Sequence, residues 1–167
     1  MNRRTLLIRT GILLASAFLP VARGCQTGET EQITIAGQEF VLEVVTTEDA
    51  IQRGLGGRAA VPDNGGMLFV FPVAKKKRFW MKDCLIDIDI MFLSKLGRIT
   101  AIHEMKAEPL KTEDESQFDY EQRLKGYSSI ATAQFAIELK AGRIAELGLQ
   151  PGQQIDLPID CLKQRLK

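Results

Sequence analysis

The sequence is poor in the residues from which most metal sites and nucleophilic sites are built. It holds one histidine and three cysteines, and no two of the cysteines form a C-x-x-C pair. Structural zinc sites need four Cys or His ligands at short spacings, so we expect no zinc site and no cofactor. There is no glycine-rich phosphate loop, no internal repeat, and no serine that fits a Ser-His-Asp triad without an arbitrary choice. The sequence therefore offers no strong catalytic motif.

A strong excess of positive charge is also missing. The 167 residues include 22 Lys and Arg against 21 Asp and Glu, a net charge of +1. Four of the basic residues and none of the acidic ones lie in positions 1–24, so the rest has 22 − 4 = 18 basic and 21 acidic residues, a net charge of −3. Nucleic-acid-binding domains are typically strongly basic, so we expect no nucleic-acid partner. The run Lys75–Arg78 is interpreted as a solvated loop or strand edge.

The N-terminus has the pattern of an export signal. Arg3 and Arg4 precede an apolar stretch of ten residues, 10–19, and small residues follow around Ala22 and Gly24. A helix needs about 20 apolar residues to cross a hydrocarbon core of about 30 Å, so this stretch is too short to span a membrane. A charged start, a short apolar region and small residues at the cut are the parts of a secretory signal. We predict an export signal over residues 1–24 and a periplasmic or otherwise extracytoplasmic location.

Two details of this segment leave the route and the anchor open. Paired arginines fit the twin-arginine pathway, which carries folded proteins, but ordinary signals also begin with two basic residues. Residues 22–25 resemble a lipoprotein cleavage box in which Cys25 would receive lipid, although Ala22 and Arg23 depart from the usual box. If Cys25 is lipidated or removed, Cys84 and Cys161 remain as an even pair and a candidate disulfide.

The remainder of the chain predicts one small domain. We interpret residues 25–32 as a polar tether, 33–160 as the domain and 161–167 as a C-terminal tail. Many short strands and two short helices without regular β-α-β alternation predict an α+β fold, mainly antiparallel, with a compact curled or barrel-like sheet. The predicted strands are 33–35, 39–45, 67–71 (ended by Pro72), 78–82, 86–93, 98–105, 134–139 and 153–157, and the predicted helices begin near 48 and 141. The charged stretch 108–126 predicts an exposed, mobile loop.

The densest group of chemically active side chains lies in residues 79–90. This segment holds the only tryptophan, Trp80, together with Lys82 and two acids, Asp87 and Asp89, within an otherwise apolar sequence. A buried aspartate is costly unless it is paired or hydrogen-bonded. Candidate basic partners for it are Arg53, Arg58 and Lys82. A purely structural ion pair is the simpler interpretation of Asp89.

The single histidine, His103, lies on the next predicted strand, and the hairpin register decides what it meets. With a loop of Lys95–Gly97, Asp89 falls opposite His103, a pair suited to general acid–base chemistry. With a loop one residue longer, His103 turns to the other face, and Asp87, Asp89 and Glu104 form an acidic cluster suited to a cation or a basic group. A histidine that is simply hydrogen-bonded at a strand end is a third interpretation.

An ordered set of short motifs resembles one known family. The motifs are Arg53-Gly54-Leu55, Gly66–Phe71, Phe79–Lys82, Asp89–Phe92, Ala136–Gly142 and Leu149–Ile155. Together they run through about residues 38–157 and are similar to the domain of unknown function 192 family. The resemblance implies a small, mainly β domain, often behind an export signal and with no established reaction, whose recurring positions fall on Arg53, Trp80, Lys82 and Asp89. The chain departs from the family pattern at Asp83-Cys84, at Asp87 and in the long stretch 108–126.

Three functional hypotheses follow. The first is a non-enzymatic envelope protein whose Arg53, Trp80, Lys82 and Asp89 line a groove for a small or extended ligand or an envelope protein, with His103, Glu104 and Asp87 as secondary candidates. The second is a hydrolase- or lyase-type enzyme that uses Asp89 with His103 or Lys82. The third is a structural module that meets a partner protein through residues 108–126. In each case, a lipid at Cys25 would be the only contact with a membrane.

Overall fold

A computed structural model describes residues 28–166 as an α+β domain, as predicted. Six strands form one open sheet in the order β1-β2-β3-β6-β4-β5, in which all neighbours are antiparallel except β2 and β3. The elements are β1 (Thr30–Ile35), β2 (Gln38–Val45), α1 (Glu48–Arg53), β3 (Gly65–Phe79), β4 (Ile88–Leu93), β5 (Ile99–Met105), α2 (Gln117–Arg123), β6 (Tyr127–Lys140), α3 (Arg143–Glu146) and α4 (Ile159–Gln164).

Alternate side chains of the central strands point to opposite sides of the sheet, and the side chains on both sides are buried. On one side, Leu68, Met91 and Ile137 pack with Ile144 of α3 and Leu162 of α4, and we call this side the α3–α4 face. On the other side, the α1 face, Phe69, Ile90 and Phe92 pack with Leu55 and Met81 from the segments that follow α1 and β3. Every residue of β4 is buried, which explains its nearly continuous apolar sequence.

The curled sheet that the sequence predicted arises in the two longest strands. The pairing of β3 with β6 shifts register between Val70 and Lys75 and again before Arg78. Such irregularities bend a strand, and here the end of β3 returns over the α1 face. Phe79 meets Phe69 edge-on at a centroid distance of 5.0 Å and Phe92 at 5.4 Å. The sheet curls in this way without closing into a barrel.

Several predicted element boundaries are wrong. Pro72 does not end its strand, because it lies in the irregular part of β3 where no ladder hydrogen bond is required of it. The strand predicted at 78–82 stops at Phe79, and the one predicted at 153–157 is reduced to a single bridge between Arg98 and Gln154. At the ends, β1 begins inside the predicted tether, and the predicted tail contributes most of α4.

The stretch 108–126 is largely exposed, as its charge predicted, but it is not a loop throughout. It contains α2, which begins at Ser116, whose hydroxyl accepts a hydrogen bond from Asp119 N at 3.1 Å. Tyr120 is 1% exposed, and its hydroxyl accepts from Asp83 N at 2.9 Å and donates to Asp83 Oδ1 at 3.1 Å. Arg123 binds Glu115 at 2.6 Å. One buried tyrosine thus fastens this polar segment to the domain.

The predicted disulfide between Cys84 and Cys161 does not form. Cys84 is a free, buried thiol on the α1 face, whereas Cys161 is disulfide-bonded and belongs to α4 on the other side of the sheet. The sheet itself separates the two residues. The predicted export signal and the candidate lipidation site Cys25 lie outside the described residues. Within residues 28–166, no helix has the length and apolar character needed to cross a membrane.

Candidate functional site

A pocket opens on the α1 face between the end of α1 and the end of β3. It has a volume of about 140 Å³ and reaches down to Glu138 of β6. A cleft of about 310 Å³ adjoins it and shares Arg53, Trp80 and Lys82 with it. The pocket is lined by Ile51, Gln52, Arg53, Gly54, Leu55, Arg78, Phe79, Trp80, Lys82, Cys84 and Glu138.

The turn after α1 brings Arg53-Gly54-Leu55 directly over Glu138. Helix α1 begins after the cap residue Thr47, where a helix was predicted to start near 48, and ends at Arg53. Gly54 has a φ of +51°, and a Cβ atom there would lie 3.2 Å from Glu138 Oε2, so both the backbone conformation and the space favour glycine. The next residue, Leu55, donates its N–H to the same oxygen at 3.3 Å. The motif therefore places the N–H group of buried Leu55 against Glu138, and it places Arg53 on the wall of the same pocket.

Glu138 is the most unusual group in the pocket. Its residue is 4% exposed, and within the described part of the chain its carboxyl makes one hydrogen bond, to Leu55, and no ion pair. Burial raises the pKa of Glu138 to about 7, against the opposing effects of the Leu55 N–H and the charge of Arg58. A carboxyl with such a pKa can be neutral or ionised near pH 7, so it can donate or accept a hydrogen bond there.

Trp80 and Lys82 form a second wall of the pocket. Trp80 is 39% exposed, and Lys82 Nζ lies 6.0 Å from the centroid of its ring. The ammonium group also binds Glu121 Oε1 of α2 at 2.5 Å. This hydrogen bond is the main reason that the pKa of Lys82 is raised above its ordinary value. Lys82 is therefore a fixed cation that is held in place by α2.

Two further cations on the pocket wall have no partner. Within residues 28–166, the side chains of Arg53 and Arg78 make no hydrogen bond or ion pair. The neighbouring Arg58 is different, because both of its terminal nitrogens bind Glu43, at 2.5 and 2.6 Å. The pocket thus combines an aromatic wall, two unpaired guanidinium groups and a buried carboxyl.

Cys84 lines the pocket without being a nucleophile. Burial raises its pKa to about 12, and the negative charges of Glu138 and Asp83 act in the same direction. Its Sγ donates to the carbonyl of Lys82 at 3.5 Å. Because the thiolate is the reactive form, the neutral thiol of Cys84 is a packing residue.

Asp89 does not belong to this pocket, so the predicted four-residue groove is wrong in its fourth member. Its side chain lies on the α3–α4 face, is 1% exposed and accepts a hydrogen bond from Ile144 N at 2.9 Å. Burial raises the pKa of Asp89, which the N–H groups of Ile144 and Gly142 partly oppose. Asp89 fixes the start of α3 against the sheet. Its hydrogen-bond partner is Ile144 N and not Arg53, Arg58 or Lys82, and its other oxygen, Oδ1, is buried without a hydrogen bond in the described part of the chain.

The predicted pair of Asp89 and His103 is also wrong. The turn has the shorter predicted loop, since Ser94 N donates to Arg98 O at 2.9 Å. A register shift next to Phe92 then moves the pairing by one residue, so that Asp89 lies opposite Glu104 and Ile90 lies opposite His103. Cross-strand partners share a face, which places His103 on the face opposite Asp89. His103 Nε2 donates to the carbonyl of Ser128 at 2.7 Å, so the simple hydrogen-bonded interpretation describes its contacts.

The predicted acidic cluster forms only in part. Asp89 and Glu104 are cross-strand neighbours, but Asp87 binds Lys106 Nζ and Ala107 N, each at 2.9 Å. The hydrogen bond from Ala107 N is the main cause that lowers the pKa of Asp87. Among the described residues, no group of three or more His, Cys, Asp or Glu side chains is arranged to hold a metal ion.

Sequence reasoning missed Glu138 and Arg78 as members of the site. Glu138 interrupts an apolar run in β6 in the same way that Asp89 interrupts β4, so the signal that singled out Asp89 applied equally to it. Arg78 was missed because the basic run Lys75–Arg78, to which it belongs, was interpreted as a solvated loop or strand edge. Only the bend of β3 shows that the last residue of this run turns toward the pocket.

Comparison with known proteins identifies the family. The family model of domain of unknown function 192, described as "Uncharacterized ACR", matches residues 31–157. The chain belongs to the domain of unknown function 192 family. In this member of the family, the Arg-Gly-Leu and Trp-Met-Lys motifs meet at one pocket, whereas the recurring aspartate supports α3 on the other face.

Two solved structures are similar to this family member. A proposed transcription regulator from Sinorhizobium meliloti 1021 is 26% identical, with a TM-score of 0.60, over 76% of this chain and 90% of its own. A protein of unknown function from Novosphingobium aromaticivorans DSM 12444 is 23% identical, also with a TM-score of 0.60, over 75% of this chain and 82% of its own. No curated protein matches the chain.

Proposed function

We propose that this member of the family is an exported protein that binds a small ligand in the pocket between α1 and the end of β3. The observation that carries the proposal is the meeting of three distant segments, at Arg53–Leu55, Arg78–Lys82 and Glu138, around one cavity. Ligand sites typically combine apolar or aromatic walls with a few convergent polar groups, and this pocket has that composition.

The energetics of the pocket also favour binding. A buried carboxyl with a single 3.3 Å hydrogen bond is destabilising in the free protein, and a ligand donor would offset that cost. The unpaired side chains of Arg53 and Arg78 likewise retain hydrogen-bonding capacity for a partner. Catalysis is favoured less, because Cys84 is a neutral thiol and His103 is bonded to the backbone elsewhere.

Trp80 provides the test, because it is the only tryptophan in the chain and lies on the pocket wall. The purified chain would be titrated with benzoate, spermidine, L-phenylalanine, 4-aminobutyrate and glucose while Trp80 fluorescence is followed. We expect at least one compound to shift the emission and to bind at least tenfold more weakly to Arg53→Gln and Arg78→Gln.

Two matched controls keep this test specific. Lys95→Gln removes an equal charge at the β4–β5 turn. Asp89→Asn changes an acid that lies on the α3–α4 face, away from the pocket. Both variants should bind the ligand as the wild type does. If no compound affects Trp80, or if the pocket variants bind as well as the controls, the proposal fails.

A further inference from the structure

The charges of the pocket are arranged by depth. Glu138 lies at the buried end, whereas Arg53 and Arg78 belong to exposed residues at the wall. Lys82 adds no unpaired charge to the wall, because its ammonium group already binds Glu121 at 2.5 Å. A ligand that fills the pocket therefore meets a carboxyl at one end and two unpaired guanidinium groups nearer the solvent.

Neither a simple anion nor a simple cation fits this arrangement. An anion that reached the floor would approach the Glu138 carboxylate, and a cation would lie beside Arg53 and Arg78 without a partner for them. Like charges brought together in a partly buried site are costly, and such costs decide which ligand class is rejected. A ligand with a cationic donor at its inner end and an acidic group at its outer end satisfies both sets of residues.

The dimensions limit the size of such a ligand. The cavity above Glu138 has a volume of about 140 Å³, and the adjoining cleft with Arg53 and Trp80 has about 310 Å³. Phe79 and the half-exposed ring of Trp80 line the same pocket and add an apolar surface to it. We propose, resting on the proposed binding function, that the pocket takes a small zwitterion of the amino-acid class, with its ammonium group at Glu138 and its carboxylate at Arg53 and Arg78.

Binding of this kind depends on pH in a defined direction. The titratable and charged groups that face Glu138 are Arg53 and Arg58 from the α1 side and Arg78, Lys82 and Cys84 from the β3 side, while its strand neighbours Met67 and Ile90 carry no charge. The pKa values of Arg58 and Lys82 are raised by their ion pairs and that of Cys84 is raised to about 12 by burial, so Glu138 is the group among them that titrates between pH 5 and pH 8. The ammonium group needs the ionised carboxylate, so affinity should rise toward pH 8 and level off above the pKa of Glu138, about 7.

The first arm of the experiment compares ligands. L-Leucine, L-phenylalanine and 4-aminobutyrate would be titrated into the wild-type chain, each beside its N-acetyl derivative and its amide, with calorimetry and Trp80 fluorescence as readouts. We expect at least one zwitterion to bind and both of its derivatives to bind at least tenfold more weakly. The proposal is overturned if either derivative binds as well as its zwitterion, or if none of the zwitterions binds.

The second arm compares variants at pH 8. Glu138→Gln keeps the size of the side chain and should abolish the preference for the zwitterion over the N-acetyl form, whereas Arg53→Gln should abolish the preference over the amide. Glu113→Gln, an exposed acid remote from the pocket, is the matched control and should keep both preferences. A Glu138→Gln variant that folds and still prefers the zwitterion contradicts the proposal.

The two proposals fail in different ways. If only benzoate binds, and depends on Arg53, or if only spermidine binds, and depends on Glu138, the zwitterion is wrong and the binding function stands. If no compound in either panel affects Trp80, the binding function itself is wrong.

Discussion

At the scale of single residues, two buried acids show how one sequence signal can have two outcomes. Asp89 and Glu138 each interrupt an apolar strand, and each is almost fully buried. Asp89 accepts a short backbone hydrogen bond and supports α3, whereas Glu138 has one long hydrogen bond and borders a cavity. Each carboxyl therefore keeps unused hydrogen-bonding capacity, but of the two only Glu138 lines a pocket that a ligand could enter.

The raised pKa of Glu138 predicts how stability depends on pH. The unfolded carboxyl titrates near 4.5 and the folded one near 7, so in this range the unfolded state ionises while the folded state keeps its proton. The free energy of unfolding should therefore fall as the pH rises through this range, by about 3 kcal/mol from this residue alone. Glu138→Gln should lack this component and be more stable than the wild type at pH 8.

Urea unfolding at pH 5 and pH 8 measures this effect. Other acids in the chain also titrate, so the informative quantity is the loss of unfolding free energy between pH 5 and pH 8 in the wild type compared with that in the variant. Glu113→Gln should show the same loss as the wild type. Equal losses of stability in the wild type and Glu138→Gln would show that Glu138 ionises normally in the folded protein.

At the scale of elements, α2 joins a segment of high charge to the pocket. Glu121 of α2 binds Lys82, and Tyr120 bonds to Asp83 in the turn next to it. The docked helix therefore fixes the position of one pocket wall. The segment is therefore not a free loop, while a partner contact through residues 108–126 stays a prediction.

Tyr120→Phe tests how α2 is fastened. Loss of the hydroxyl removes its two hydrogen bonds to Asp83, which should lower the free energy of unfolding by about 1–2 kcal/mol. Amide hydrogen exchange in residues 117–123 should become faster than in the wild type. Phe118→Ala is the control, since Phe118 is exposed and should leave both quantities unchanged. Rapid exchange of these amides in the wild type would contradict the docked helix.

At the scale of the whole molecule, the proposed location rests on residues 1–24 and their four basic and no acidic residues. If the twin-arginine route is used, Arg3→Lys combined with Arg4→Lys should strand folded protein in the cytoplasm of a bacterial host. Cell fractionation with a folding-sensitive assay measures this, and Arg9→Lys is the matched control. Unimpaired export of the double variant would assign the protein to the ordinary route.

Much of the fold could be predicted from the sequence, and about half of the site. Arg53, Trp80 and Lys82 were predicted and line the same pocket, and the first hairpin and the start of α1 lie close to their predicted positions. Three features were not predicted: the curvature of β3 and β6, the docking of α2, and the position of Glu138 in the pocket. They depend on pairings between strands and on one buried tyrosine, which leave little local pattern.

The sequence by itself determined the features that depend on neighbouring residues. The turn at Ala36-Gly37, the Thr47 cap of α1 and the glycine after Arg53 follow from backbone preferences and hydrogen bonds within a few positions. Only the tertiary structure decided which acid faces the pocket. The face that a strand residue occupies depends on register and on each irregularity along the pair, and one shift next to Phe92 separated Asp89 from His103.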